Sequence, residues 1–315
     1  MVRAKGHAGR KTPNPPRAAA SATQRAPPLS KGPRGDDDGI RAAAFPHVRT
    51  LDRLPDLRDV DARLIPAASR RVSTGVPRLD ELLGGGLPTG SATLLYGPPF
   101  TGKELLARKF AARALADGAP MLAVLSDVGA AEFAGRMSFL EPSLGRNAAD
   151  RTRYVDAYSR IVGATDDHPN TAYVDGLTPI TGLFDTIRRQ MAALAGPDAK
   201  GVRVLVESVS TLVLEAGAQE VFRNLRVLCG QIRRMGGTAV LLLDEGMHSE
   251  SDVETLKHLC TGLIQTRKQD EAFALHVEGL STAYAIDWID YTFDDPGFEI
   301  TGSFASERIR SVHLV

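Results

Sequence analysis

Residues 92–110 read ATLLYGPPFTGKELLARKF, and this stretch decides the fold. The short apolar run Leu94–Tyr96 has the character of a buried strand, and a helical pattern follows Lys103. Between them stands Gly97-Pro98-Pro99-Phe100-Thr101-Gly102-Lys103, the spacing G-x-x-x-x-G-K of a phosphate-binding loop set between strand and helix. One position departs from that pattern. The residue after the lysine is ordinarily Ser or Thr, and here it is Glu104.

Such a loop works because successive backbone N–H groups point at phosphate oxygens while the following helix adds its positive N-terminal end. Gly97 and Gly102 permit the tight backbone path, and Lys103 is placed to reach the β- and γ-phosphates. The expected nucleotide contacts run through Gly97, Pro98, Pro99, Phe100, Thr101, Gly102, Lys103, Glu104 and Leu105. A hydroxyl after the lysine normally coordinates Mg²⁺. The Glu104 carboxylate can offer oxygen to a cation, but without a metal it repels phosphate, and the sequence leaves both readings open.

Outward from the loop, strand and helix patterns alternate. Helix Lys103–Ala116 leads to strand Met121–Leu125, a helix near Ala131–Leu140 and strand Thr152–Tyr158. Residues 159–178 are polar and irregular, an expected loop over one end of a sheet. Helix Leu183–Leu194, strand Val202–Val206, helix Gln219–Met235, strand Ala239–Leu243 and a helix near Asp252–Cys260 follow. In Gln219–Met235 an apolar stripe (Val221, Leu225, Leu228, Ile232, Met235) backs a face bearing Arg223, Arg226, Arg233 and Arg234. The pattern then turns to strands: Gly262–Thr266, Ala272–Val277 and a segment from Trp288 to Ile300. This order predicts an α/β fold: a mainly parallel sheet with helices on both faces and a C-terminal antiparallel extension.

In such sheets ligands bind beyond the carboxyl ends of the strands. Acids stand at three of those ends: Asp127, Glu207, and Asp244 with Glu245. Glu207 takes the place expected of a metal-orienting acid, so the expected Mg²⁺ ligands are Glu104 and Glu207. Asp127 takes the place of a general base that activates water.

The chain upstream is of another kind. Residues 1–40 are rich in Pro, Ala, Arg and Gly, and residues 1–35 hold eight Lys or Arg and no acid. They read as a disordered basic tail; nothing before Ala43 carries a structural pattern, so a later start codon is an alternative to a long tail. Residues 41–70 read as a linker in which Leu51, Leu54, Leu57, Val60 and Leu64 recur at spacings of three and four; Pro55 and Pro66 interrupt the pattern, so any docking helix there is short. Residues 71–315 are the expected nucleotide-binding domain. Residues 1–67 carry thirteen basic residues against seven aspartates, so the rest of this neutral chain is acidic by the same margin. Cys229 and Cys260 both sit in helical patterns without metal-ligand spacing, as reduced thiols do. No apolar run approaches the ~20 residues of a membrane span, and no apolar core of a signal peptide follows the basic start. A soluble, cytoplasmic protein is expected.

Thr74-Gly75, Leu79-Asp80, Leu82-Leu83-Gly84-Gly85-Gly86-Leu87-Pro88 and Gly90, together with the loop itself, resemble the KaiC-like branch of the RecA superfamily of P-loop ATPases across residues 71–302. The resemblance implies a RecA-like core, ATP binding between adjacent subunits and a homo-oligomer, in many members a hexamer. It also marks departures. Family members usually carry Thr or Ser at Glu104, often Thr at Leu105, paired glutamates where Asp127-Val128 stands, and Asp at Glu207. A basic Lys-x-Arg-Gly segment that reaches a neighbour's nucleotide is replaced by His276-Val277-Glu278-Gly279. The leading expectation is an ATP-binding regulatory or assembly protein with an unidentified protein partner and weak or absent hydrolysis. The alternatives are an active Mg²⁺-dependent ATPase with an atypical metal site, and a DNA-associated recombinase-like protein that holds nucleic acid through its basic tail.

Overall fold

Ten strands pair side by side because each core strand is apolar on both faces. In the computed structural model, which describes residues 70–142, 144, 146–194, 201–280 and 288–302, the chain opens with β1 (Arg71–Val72), α1 (Pro77–Leu82) and β2 (Leu87–Pro88). Then come β3 (Ser91–Gly97), α2 (Lys103–Ala116), β4 (Met121–Leu125), α3 (Ala130–Leu140), α4 (Arg146–Asp150), β5 (Thr152–Asp156) and β6 (Thr171–Tyr173). The second half holds α5 (Ile180–Leu194), β7 (Arg203–Glu207), α6 (Val209–Ala216), α7 (Ala218–Arg234), β8 (Thr238–Asp244) and α8 (Glu250–Lys257). It closes with β9 (Gly262–Gln269), β10 (Ala272–Glu278), β11 (Ile289–Asp294) and β12 (Gly297–Ile300). The tail and linker expected over residues 1–69 lie outside the described residues.

The main sheet has the order β12-β11-β10-β9-β3-β8-β7-β4-β5-β6. From β9 through β6 every pairing is parallel, and β10, β11 and β12 add on antiparallel. This is the α/β arrangement read from the sequence. Alternate side chains supply the two cores. Leu95, Leu205, Val240 and Leu242 face α1, α2 and α3, whereas Leu94, Tyr96, Val204, Val206, Leu241 and Leu243 face α5, α6, α7 and α8. Burial on both faces explains why β3, β4 and β7 are enclosed at every residue.

Several differences from the sequence reading have physical causes. The helix expected from Gln219 is preceded by a separate α6, and Gly217 at φ 80° breaks the two apart. Residues 209–216, VSTLVLEA, are apolar and β-branched, so their period does not announce a helix. Ser208 caps α6 by accepting from the Ser210 amide. The loop expected at 159–178 contributes the edge strand β6. Cys229 is buried in α7, but Cys260 lies beyond the end of α8, in the turn into β9. Among the described residues no helix is long and apolar enough to cross a membrane.

The glycine-rich entry also gains a structural account. Asp80 of α1 accepts from the amide and hydroxyl of Thr74, each at 2.7 Å, and from the Ser73 hydroxyl. Gly75 lies against α2 so closely that a Cβ there would fall 2.5 Å from the Lys109 carbonyl oxygen. These residues hold the entry segment on α2, the helix that carries the loop lysine.

Candidate phosphate site

β3 ends at Gly97, α2 begins at Lys103, and the loop between them is pinned from the antiparallel strands. A Cβ on Gly97 would stand 2.1 Å from the Thr266 hydroxyl oxygen and 2.6 Å from its carbonyl oxygen on β9. Gly102 has φ 73°, and a Cβ there would meet the Phe293 ring of β11 at 2.7 Å. The Thr101 hydroxyl donates to the Pro98 carbonyl at 2.9 Å and lies 2.8 Å from the Thr266 hydroxyl. The Tyr291 hydroxyl donates to the Thr101 carbonyl. The C-terminal strands therefore buttress the cradle. At its crest Phe100, at φ 63°, is 86% exposed; a bulky residue in that conformation costs on the order of 1–3 kcal/mol.

Lys103 is fully buried, yet its ammonium is occupied. It lies 2.7 Å from a carboxylate oxygen of Asp244 and 2.5 Å from one of Glu104, and donates at 3.3 Å to the Pro98 carbonyl. Asp244 arrives there because β8 runs parallel beside β3, pairing Gly97 with Asp244. An ammonium has three protons, and here each has an acceptor. Any further acceptor on this ammonium would have to displace a carboxylate, and Glu104, with a side chain one-third exposed, is the more accessible of the two.

Glu207 ends β7 beside Leu125 of β4. Burial pushes its carboxyl up to about 7, with Glu104 and Asp127 adding to the rise and Arg108 and Arg136 opposing it. Arg108, one turn beyond Glu104 on α2, reaches one Glu207 oxygen at 3.7 Å; the other is buried with no hydrogen-bond partner. Asp127 follows β4 and accepts a hydrogen bond from the Thr211 hydroxyl of α6. Burial raises its proton affinity and Asp244 contributes in the same direction. The sequence-predicted acids Glu104, Asp127, Glu207 and Asp244 thus gather at one sheet edge. Glu278 does not join them. It ends β10 opposite Leu263, where β9 begins, so it lies at the other end of the sheet from the phosphate loop of its own chain.

Sequence reasoning missed three partners: Arg108, Thr266 and Tyr291. Arg108 carried a signal, since it is four residues after Glu104 and shares its helix face. The other two come from strands far along the chain, and no local pattern marks them.

The residues fit a magnesium-bound nucleotide in part. The loop joins strand and helix as a phosphate-binding loop would, and the Glu207 oxygen without a partner is a potential ligand atom. Among the described residues no group of three or more His, Cys, Asp or Glu side chains is arranged to hold a metal alone. Mg²⁺ does not require one, because it commonly takes one or two carboxylates together with phosphate oxygens and water.

Comparisons with known proteins bear on the family and the fold. The model of a family of unknown function (DUF7504) matches residues 90–266, more than half of the chain. A UPF0273 protein of Pyrococcus furiosus is 30% identical over 165 residues, 51% of this chain and 64% of that protein's length. One from Methanopyrus kandleri is 28% identical over 207 residues, 63% of this chain and 77% of its own. The DNA repair protein RadA of Mycobacterium tuberculosis is 28% identical over 189 residues, which are 58% of this chain and 37% of RadA. The crystal structure of a KaiC-like protein from Pyrococcus horikoshii superposes with a TM-score of 0.55 at 20% identity, covering 74% of this chain and 99% of that one. The fold is KaiC-like, of the RecA type, in a divergent form.

Proposed function

The chain belongs to the DUF7504 family of unknown function, and from that premise we propose that it is a nucleotide-responsive regulatory or assembly protein. In this reading ATP occupies the loop Gly97–Leu105, occupancy sets conformation or oligomeric state, and hydrolysis is slow or absent. One observation carries it: a sterically complete phosphate cradle whose lysine is held by two carboxylates, Glu104 and Asp244.

The roles of the residues follow from that arrangement. Loop amides would receive the phosphates, and Lys103 would exchange the Glu104 carboxylate for phosphate oxygen. Glu104, once displaced, and Glu207 would hold Mg²⁺, which supplies charge neutralisation to the bound phosphates. Two features oppose turnover. Burial holds the Glu207 carboxyl above the ordinary carboxylate range, so a cation arriving there must displace its proton. Glu278 stands where the resemblance expects a basic residue directed at a neighbour's nucleotide, and such a residue is worth about 10³–10⁵ in rate. Asp127 remains the candidate base for whatever hydrolysis persists.

Calorimetry with ATP and Mg²⁺ tests the reading. A Lys103-dependent binding heat, lost in Lys103→Ala, with little phosphate release, is the expected result. Absence of that heat overturns it. Robust turnover lost in Glu207→Gln would favour an active ATPase, for which the clustering of Glu104, Asp127 and Glu207 is the supporting observation.

A further inference from the structure

At the edge of the sheet where the parallel strands begin, Arg70, Arg71, Arg113, Arg151, Arg203 and Arg234 line one cavity of about 920 Å³. Among the described lining residues Asp117 is the only acid. It is shared between two of the arginines, at 2.8 Å from Arg113 and 2.6 Å from Arg203. Arg71 and Arg151 donate to backbone carbonyls, which carry no net charge: Arg71 to Gly86 and Leu280, Arg151 to Gly118. The lining therefore carries six arginines and one acid, with the Asp80 carboxylate near enough to act on Arg203 as well.

Ordinary structural demands account for only part of this. Arg113 and Arg234 stand in the last turns of α2 and α7, where a cation complements the helix dipole. Arg203 is only 3% exposed and lies over the Phe110 ring, but its Nε is buried with no hydrogen-bond partner. An unpartnered N–H on a buried guanidinium is a desolvation cost that a bound acceptor would relieve. Arg151 follows the last residue of α4 and reaches the Gly118 carbonyl beyond α2, whereas no helix terminus calls for Arg70. The cavity has the size of a small-ligand site, and guanidinium forks match oxyanions in two-pronged geometry.

We infer that this cavity is a second ligand site, separate from the phosphate loop, that binds a small molecule through a condensed phosphate group such as a nucleotide di- or triphosphate. The charge surplus selects a multiply charged anion, and the guanidinium chemistry selects phosphate. Its place at the opposite strand ends makes it independent of Lys103 and of the function proposed above.

The test uses the full chain carrying Lys103→Ala, which removes the loop lysine, titrated calorimetrically with inorganic tripolyphosphate and, in parallel, with ADP. Tripolyphosphate is expected to bind at one site and to weaken at least tenfold when the exposed Arg151 and Arg234 are both changed to Gln; ADP competing at that site identifies a nucleotide as the source, and ADP failing to compete identifies free polyphosphate. Should the double variant fail to fold, Arg70→Gln, at an exposed position, is expected to weaken binding about threefold. No binding, or binding unchanged by these substitutions (as it would be if the basic N-terminal segment carried it), overturns the inference. So does a single-stranded oligonucleotide that displaces tripolyphosphate with a steep salt dependence, which would make the surface a nucleic-acid contact.

Discussion

The two edges of one parallel sheet have opposite electrostatics. Where the strands end, Glu104, Asp127, Glu207 and Asp244 crowd around Lys103 and Arg108. Where they begin, six arginines and a single acid, Asp117, line one cavity. In a RecA-type fold the first edge is the one expected to attract phosphate, yet here it is the one with surplus carboxylate. The contrast separates shape from charge: the loop keeps the steric form of a phosphate cradle while its neighbours oppose an anion, whereas the arginine edge has the charge without the loop.

The largest expected effect comes from breaking the shape of the first edge. Gly97→Ala places a Cβ against the hydroxyl and backbone of Thr266, and the backbone, 2.6 Å away at its carbonyl oxygen, cannot swing aside. It should cost on the order of 3 kcal/mol in denaturant unfolding and abolish nucleotide binding, while leaving tripolyphosphate bound at the arginine edge. Equal loss at both edges would show that the two sites are not independent.

Removing charge from the first edge gives a smaller, pH-dependent change. Burial raises Glu207's carboxyl to about 7 in the folded chain from an ordinary value near 4.5. Between those values the folded state holds the additional proton, so this group's contribution falls as pH rises through that window. The loss amounts to about 3 kcal/mol at most. Glu207→Gln should flatten the midpoint-against-pH curve between pH 5 and 8 and stabilise the protein most at pH 8. An unchanged slope would mean that Glu207 is already ionised in the folded chain.

Cutting the buttress is expected to matter least. Thr266→Val removes the hydroxyl that meets Thr101 and should cost about 1 kcal/mol, with a modest loss of nucleotide affinity and no effect at the arginine edge. A loss several times larger would mean that the antiparallel strands set the loop conformation rather than support it.

The loop and its glycines were legible in the sequence because their demands are local. Gly102 has a left-handed conformation within a few residues of the lysine it positions. The mainly parallel sheet with its antiparallel extension was legible because strand–helix alternation followed by a run of strands leaves few architectures, though the strand order was not read. The acids at the ends of β4, β7 and β8 could be read as strand-end residues, and the parallel register does bring them to one edge. What they touch could not be read. The pairing of Lys103 with Asp244 depends on β8 lying beside β3, and the unsatisfied Glu207 oxygen depends on how α2 crosses the sheet. Nor could the arginine edge be found from spacing, since its members come from an entry strand, two helix ends and the starts of separate strands.

The account's central claim is that Glu104 competes with phosphate for Lys103. The most direct test measures ATP affinity of the natural chain and of Glu104→Gln by calorimetry in a chelator, without Mg²⁺. The account predicts at least tenfold tighter binding by the variant, because a neutral amide replaces the carboxylate on the lysine. Equal or weaker binding by Glu104→Gln would contradict it.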